Sequence, residues 1–381
     1  MKILFSAEVF YPFVGGGSIS MYTLLRELAK NYETHAVCSG LGYGEFELDG
    51  IIVHKVKIVS VRPGWLRFLT MNLYWEKVLS KIVKKVKPDI LLTQLALAPA
   101  SVKVAKKYNV KSIFFIHDLR HICPILFLNR DISSCDGFCW RCINLKWKMQ
   151  YALLKIGMEA HKNALKNADI VIANSKYVAG VVKKKYSVDC EVIYPFINLN
   201  EYKVEKLEPK YVTFFNPSIH KGGKIVLEIA KQMKNIEFLV RGRGNVDFGK
   251  LPNVTQISWV RDVRKVYSKT KILLVPSLAP EAFGRVAVEA MINGIPCIVS
   301  GRGALPEVVG DAGIVIKNPL NLSAWINSIK RLNSDDALYQ ELREKSIKQA
   351  RKFSFKEQYK KFKDIIRHLK NGCIAEDLED N

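Results

Sequence analysis

Short apolar runs alternate with helix-period segments along most of the chain. Lys2-Ile3-Leu4-Phe5-Ser6, His35-Ala36-Val37-Cys38, Ile90-Leu91-Leu92, Ser112 to Ile116 and Ile170-Val171-Ile172 are candidates for buried strands. The first runs into a loop with Gly15-Gly16-Gly17, after which Tyr22, Leu25, Leu28 and Ala29 recur at helical spacing. Ser18 or Ser20 is the expected cap of that helix. Apolar strands alternating with helices imply a parallel sheet covered on both faces.

The pattern breaks between about Tyr194 and Lys210, where Tyr194-Pro195-Phe196 and Pro209 flank a polar stretch. It then restarts with Tyr211 to Phe215, a helix from Lys224 to Lys234, Phe238-Leu239-Val240 and Ile272 to Val275. A helix from Phe283 to Asn293 follows, stopped by Gly294 with Pro296 just beyond, and Pro296 to Val299 reads as a strand. The long helical pattern Phe355 to Leu369 falls after the second sheet is complete. The expected architecture is α/β, with two Rossmann-like, doubly wound parallel-sheet domains facing across a cleft, the default ligand site. Residues 1–200 form the first domain and 208–350 the second, while 351–381 form a helix packing back across the junction plus an acidic tail.

Composition narrows the class. The chain has 381 residues, and 49% hydrophobic with 25% charged residues excludes wholesale disorder. Lys plus Arg number 59 against 36 Asp plus Glu, a formal charge of +23. That excess predicts an anionic partner: phosphates, nucleic acid or an acidic membrane face. Ser6 and Glu8 end the first apolar run too early for an export signal, and Ile90 to Val102 is interrupted by Thr93, Gln94 and Pro99. A cytoplasmic protein with mostly reduced cysteines is expected.

The densest chemistry lies in Pro276-Ser277-Leu278-Ala279-Pro280-Glu281-Ala282-Phe283-Gly284, continuing to Glu289-Ala290. A carboxylate in a strand-to-helix loop can hydrogen-bond sugar hydroxyls. A second one two turns along can hold a ribose, and helix-start N–H groups can face a diphosphate. The plain alternative is a surface Glu pair beside a helix cap. The stretch Pro276 to Ala290 resembles the acidic-x7-Glu motif, P-S-x-x-E-x-F-G-x-x-x-x-E-A, of the retaining glycosyltransferases of family 4, which have the GT-B fold. Gly294-Ile295-Pro296-Cys297-Ile298-Val299 is similar to their G-x-P-V-I-x strand, and Gly303-Ala304-Leu305-Pro306-Glu307-Val308-Val309 to their G-G-x-x-E-V-V loop. The triple glycine, His117-Asp118 and Asn174-Ser175 look like further landmarks, so the likeness covers almost the whole chain.

The resemblance implies transfer of a sugar from a UDP- or GDP-sugar to an acceptor hydroxyl with retained anomeric configuration. It implies that Glu281 contacts the donor sugar, that Glu289 takes the ribose hydroxyls, and that Phe283 and Gly284 belong to the donor-binding motif. His117 would lie beside the transferred sugar; its plain reading is a satisfied histidine at a strand end. Gly16 and Gly17 would let backbone amides approach the phosphates or acceptor, although turns need glycine anyway. Lys221-Gly222-Gly223 matches the family's K-G element, whose lysine neutralises the donor diphosphate. The usual arginine before it is missing, since the chain reads Asn216-Pro217 there. Arg241 or Arg243 is expected to supply that charge, against the alternative of a solvated basic turn.

No D-x-D occurs, and a diphosphate held by Lys, Arg and helix N-termini needs no bridging cation, so no catalytic cofactor is expected. Cys123, Cys135, Cys139 and Cys142, spaced C-x11-C-x3-C-x2-C, suit a structural Zn²⁺ site, with free thiols or disulfides as alternatives. Trp65 to Lys87 mixes Trp65, Leu66, Phe68, Leu69, Tyr74 and Trp75 with Arg67, Lys77, Lys81, Lys84, Lys85 and Lys87. This suits a helix on an anionic membrane or beside a lipid-linked acceptor, or else an ordinary amphipathic helix packed on the sheet. Lys146-Trp147-Lys148 raises the same choice. The expected partners are a nucleotide-sugar donor and a glycan or lipid-linked acceptor, with peripheral attachment to the inner membrane face. The rival functions are a nucleotide-sugar epimerase of the same fold and a basic, non-catalytic nucleic-acid-binding protein. No helix-turn-helix, RNP-like or zinc-finger spacing supports the latter.

Overall fold

The computed structural model describes residues 1–11, 15–40, 43–57, 64–119 and 151–379; within these, side chains 64–67, 151–154 and 370–379 are left aside. Cys123, Cys135, Cys139, Cys142 and Lys146-Trp147-Lys148 lie outside the described residues. The chain divides into two units. One holds the described residues up to Phe196 and those from Gln358 onward, and the other holds Ile197–Glu357.

The first unit contains β1 (Lys2–Ala7), β2 (Glu33–Ser39), β3 (Gly44–Leu48), β4 (Ile51–Val56), β5 (Ile90–Gln94), β6 (Lys111–Ile116), β7 (Ile170–Ala173) and β8 (Glu191–Val192). They form one sheet in the order β3-β4-β2-β1-β5-β6-β7-β8. Neighbours run parallel except β3, which pairs antiparallel with β4 at the edge. Its helices are α1 (Gly16–Leu28), α2 (Gly64–Val86), α3 (Ala98–Lys107), α4 (Tyr151–Asn167) and α5 (Lys176–Tyr186). Ile3, Leu4, Phe5, Leu91 and Leu92 have no solvent exposure, as strands covered on both faces require.

The second unit contains β9 (Tyr211–Phe215), β10 (Phe238–Arg241), β11 (Val254–Ile257), β12 (Thr270–Val275), β13 (Cys297–Ser300) and β14 (Gly313–Ile316). The order β11-β10-β9-β12-β13-β14 is parallel throughout. Counted within the unit this is 3-2-1-4-5-6, a doubly wound sheet whose chain order reverses between β9 and β12. Its helices are α6 (Gly223–Gln232), α7 (Arg264–Tyr267), α8 (Arg285–Met291), α9 (Leu305–Val309), α10 (Leu322–Ser334) and α11 (Asp336–Arg351). Asn321 and Asp335 cap α10 and α11 by accepting from Ala324 N and Leu338 N. The last helix, α12 (Phe355–Glu379), belongs to the first unit from Gln358 on. Phe362 is fully buried there against Phe115 and Phe196, at ring-centroid distances of 5.9 and 5.8 Å.

One expectation changes and one open choice is narrowed. The first helix starts at Gly16, ahead of both serines, and Gly15 is its cap residue without a side-chain bond. Ser20 instead lies buried inside the helix, its Oγ accepting from Phe196 N at 2.8 Å. In α2 the residues Met71, Trp75, Leu79 and Val83, four apart, are all buried on the sheet. Trp75 is fully enclosed and donates through Nε1 to Ser6 Oγ at 2.9 Å, so this aromatic belongs to the core and not to a membrane-facing surface. A four-residue apolar stripe serves sheet packing and lipid contact equally well, which is why the pattern alone left both open.

Candidate functional site

In the second unit the loops after β9 and β12 meet at the reversal of strand order, where doubly wound sheets hold their ligands. His220 O accepts from Leu278 N at 2.9 Å and Ala279 N at 3.1 Å, zipping the two loops together. This brings Lys221 to Glu281, with Nζ 2.6 Å from Oε1, and Ser277 Oγ donates to the same oxygen. The opposite side of Glu281 is fixed by the loop after β13. Ala304 N donates to Glu281 O at 2.8 Å, and Gly303 has φ +70°. A Cβ on Gly303 would stand 2.1 Å from Glu281 O and 2.4 Å from Glu281 N, so only glycine permits this approach. Burial by itself would raise the Glu281 pKa. The Lys221 charge and the hydrogen bonds from Lys221 and Ser277 outweigh it and hold the carboxyl below its ordinary value.

Glu289 lies on α8 and is 7% exposed. Tyr267 OH donates to its Oε2 at 2.8 Å and Arg285 Nε to its Oε1 at 2.6 Å, while Arg285 also donates to Tyr202 OH. Burial opposes the Arg285 charge, but Glu289 and Tyr202 more than restore it, so its pKa is raised. Burial and the Glu289 charge push the Tyr267 hydroxyl far up. These partners escaped the sequence reading. Arg285 was within reach of it, because a cation four residues from Glu289 shares its helix face. Tyr267 and Tyr202 come from distant segments and left no such signal.

Of the other residues expected to bind donor, Arg241 lies within electrostatic reach of Tyr267 and Glu289. Arg241 lies over the rings of Phe215 and Trp259, at 5.4 and 5.7 Å, and donates to Val260 O at 2.9 Å. Its Nε is buried and has no partner among the described residues. Arg243 is exposed. Phe283 is buried with its ring against Phe353, 5.4 Å between centroids, so it packs the base of the loop, and Gly284 is the cap residue of α8.

In the first unit Gly16 and Gly17 open α1, and His117 follows β6. Gly17 faces the imidazole closely: a Cβ there would stand 3.2 Å from His117 Cβ and Cγ. The ring stacks on Phe115 at 5.9 Å, and Asn174 Nδ2 donates to His117 O at 3.0 Å. His117 Nε2, Asn174 Oδ1 and both amide atoms of Gln94 are buried without hydrogen-bond partners among the described residues. They mark the C-terminal ends of the adjacent strands β5, β6 and β7. Burial pushes the His117 pKa down to about 4, against a smaller pull from Asp118, so the ring is neutral at pH 7. Among the described residues no group of three or more His, Cys, Asp or Glu side chains is placed to hold a metal ion, and no helix is long and apolar enough to cross a membrane.

The chain matches Glycosyltransferase Family 4 over residues 14–201 and Glycosyl transferases group 1 over residues 210–353. It belongs to the family 4 glycosyltransferases. Such an enzyme is a transferase of the GT-B fold. N-acetyl-alpha-D-glucosaminyl L-malate synthase of Bacillus anthracis is 24% identical over 392 residues, spanning 96% of this chain and 98% of that protein. An uncharacterized 41.2 kDa protein of the cps region of Klebsiella pneumoniae is 30% identical over 193 residues, 44% of this chain and 51% of that one. Among solved structures, sucrose-phosphate synthase of Thermosynechococcus elongatus superposes with a TM-score of 0.76 at 16% identity, covering 98% of this chain and 100% of that one. Anabaena HepE in complex with UDP gives 0.72 at 17% identity, covering 97% and 100%. At these identities the structures speak for the fold.

Two outcomes follow from the geometry. Gly303→Ala forces the Glu281 backbone to move, and we expect it to lower unfolding stability by about 1–3 kcal/mol and to cut activity further than that loss explains. Unfolding curves with wild-type midpoint and full activity would contradict the contact. An unfolded His117 takes its proton near pH 6.5 and the folded one only near 4, so the unfolded state binds more protons in between. Stability should therefore fall as pH drops from 6.5 toward 4, by about 3 kcal/mol from this residue. Comparing melting temperatures of the wild type and His117→Gln across that window checks it, since the variant should lose part of the slope.

Proposed function

We propose that the enzyme transfers a sugar from a nucleoside-diphosphate sugar to an acceptor hydroxyl with retention at the anomeric carbon. The observation that carries this reading is the Lys221–Glu281 pair at the strand-order reversal, a cation and an acceptor fixed side by side. In this reading Lys221 neutralises diphosphate oxygens as the leaving group gains charge, which lowers the barrier because that charge is greatest in the transition state. Glu281, kept ionised, accepts hydrogen bonds from the sugar hydroxyls, and Glu289 accepts from the ribose. Arg241 and Arg243 add positive charge near the diphosphate, and the backbone at Gly16, Gly17 and Gly284 allows phosphate or acceptor to come close. Neutral His117 offers Nε2 to the transferred sugar, and the departing phosphate takes the acceptor proton.

The second unit is thus the donor-binding part, about residues 208–350, and the first, about 1–200, shapes the acceptor site. Related structures solved with UDP and UDP-glucose make a UDP-sugar the first donor to try. The likeness to WaaG, described as involved in lipopolysaccharide biosynthesis, favours a cell-envelope or lipid-linked glycan acceptor and a peripheral position on the membrane. Lys and Arg charges make a bridging divalent cation unnecessary. We also retain Cys123, Cys135, Cys139 and Cys142 as ligands of a structural Zn²⁺.

A panel of UDP-, GDP- and ADP-sugars read by thermal stabilisation and slow donor hydrolysis should single out one donor. Lys221→Ala and Glu281→Gln should then each lower kcat about 10²-fold or more, with wild-type rates retained in EDTA. Donor isomerisation without acceptor, or turnover untouched by both substitutions, would refute the assignment. Metal analysis of untagged protein should find about one zinc per chain; less than about half an equivalent removes the zinc site.

A further inference from the structure

Helices α2, α3 and α4 of the first unit enclose a groove of about 580 Å³, within the roughly 300–1,000 Å³ span of small-molecule sites. Phe68, Leu69 and Leu73 line one wall, with Ala100, Ala160 and Ala164 opposite. Of the three asparagines in the lining, Asn163 is exposed, and the amides of Asn72 and Asn167 are already committed. Asn72 donates to Phe68 O and Ala96 O at 2.9 and 3.1 Å, and its Oδ1 accepts from Ala100 N at 3.1 Å. Asn167 donates to Asn163 O at 2.7 Å and accepts from Lys106 Nζ at 2.8 Å. These amides leave the groove apolar in character, which favours hydrocarbon over a sugar or a base.

Exposed apolar residues continue the groove outward. Leu73 is 60% exposed, and Ile156, 48% exposed, lies one turn before Ala160 on α4. The α3 side of the lining carries Lys103, Lys106 and Lys107 against a single acid, Glu76, which pairs with Lys103 at 2.8 Å. Lys107 and Lys84 both lie over the Tyr108 ring, at 5.5 and 5.9 Å, adding a further cation to this end. Hydrocarbon space thus adjoins a patch of net positive charge. One alkyl chain alone gives only weak, reversible membrane attachment, and a basic patch supplies the second signal that stable attachment needs.

We propose that this groove takes one alkyl chain of an anionic membrane lipid, whose phosphate lies against Lys106 and Lys107. The site is built within the first unit from residues that take no part in the proposed transfer. Its occupancy requires neither donor nor acceptor.

The test uses the full chain, with dodecyl phosphate as soluble probe and vesicles of phosphatidylcholine with or without phosphatidylglycerol. Dodecyl phosphate should saturate one site by calorimetry, and inorganic phosphate should not compete. Ala160→Trp, which fills the groove, and the pair Lys106→Glu with Lys107→Glu should each weaken binding about tenfold or more and abolish flotation with phosphatidylglycerol vesicles. Stabilisation by UDP serves as the control for folding and for the donor site, and should match wild type in every variant. Should Ala160→Trp misfold, Leu73→Glu at the exposed rim replaces it. Undiminished binding in the groove variants, equal protection by inorganic phosphate, or no binding to wild type because the chain's own residues fill the groove would each overturn the proposal.

Discussion

The candidate donor site rests on one ion pair between loops sixty residues apart, Lys221 with Glu281. Neither loop is held by its own helix alone. The His220 carbonyl ties the two together, and the loop after β13 closes on Glu281 from the far side through Gly303 and Ala304. Three successive strand ends therefore converge on a single carboxylate. A carboxylate shielded in this way would tend to take up a proton, but the lysine and Ser277 keep it charged. Fixed charges of this kind need no reorganisation during reaction, and electrostatic catalysis depends on that.

Much of this was open to reading because the sheets are parallel and buried. Strands covered on both faces must be apolar throughout, so Ile3-Leu4-Phe5 and Ile272 to Val275 announce themselves without any structure. The motif from Pro276 to Ala290 likewise marked Glu281 and Glu289 through local spacing. What stayed hidden was anything fixed by long-range contact. Nothing near Lys221 says that it pairs with Glu281, and nothing near Tyr267 says that its hydroxyl meets Glu289.

Trp75 shows the same limit from the other side. Its neighbours left a membrane-facing aromatic and a sheet-packed one equally open, and its indole proves to be locked onto Ser6 in the first strand. Helical periodicity tells which residues share a face but not what that face meets. The serines after the triple glycine erred for a related reason: Gly16 and Gly17 enter the helix directly, which freed Ser20 to hold the backbone of Phe196. Capping propensity lost to a tertiary contact.

Glu289 carries a thermodynamic consequence of its own. Each carboxylate oxygen already accepts one hydrogen bond, one from Tyr267 and one from Arg285, and Arg285 is in turn anchored to Tyr202. Asn293, one turn further along, holds the same connecting segment through Tyr202 O and Val204 N. An ionised carboxylate has about four acceptor sites, so each oxygen keeps a lone pair for a further donor while the two bonds already made fix its orientation. The ordering cost of this side chain thus falls on folding, and a hydrogen-bond donor that meets it need not immobilise it again.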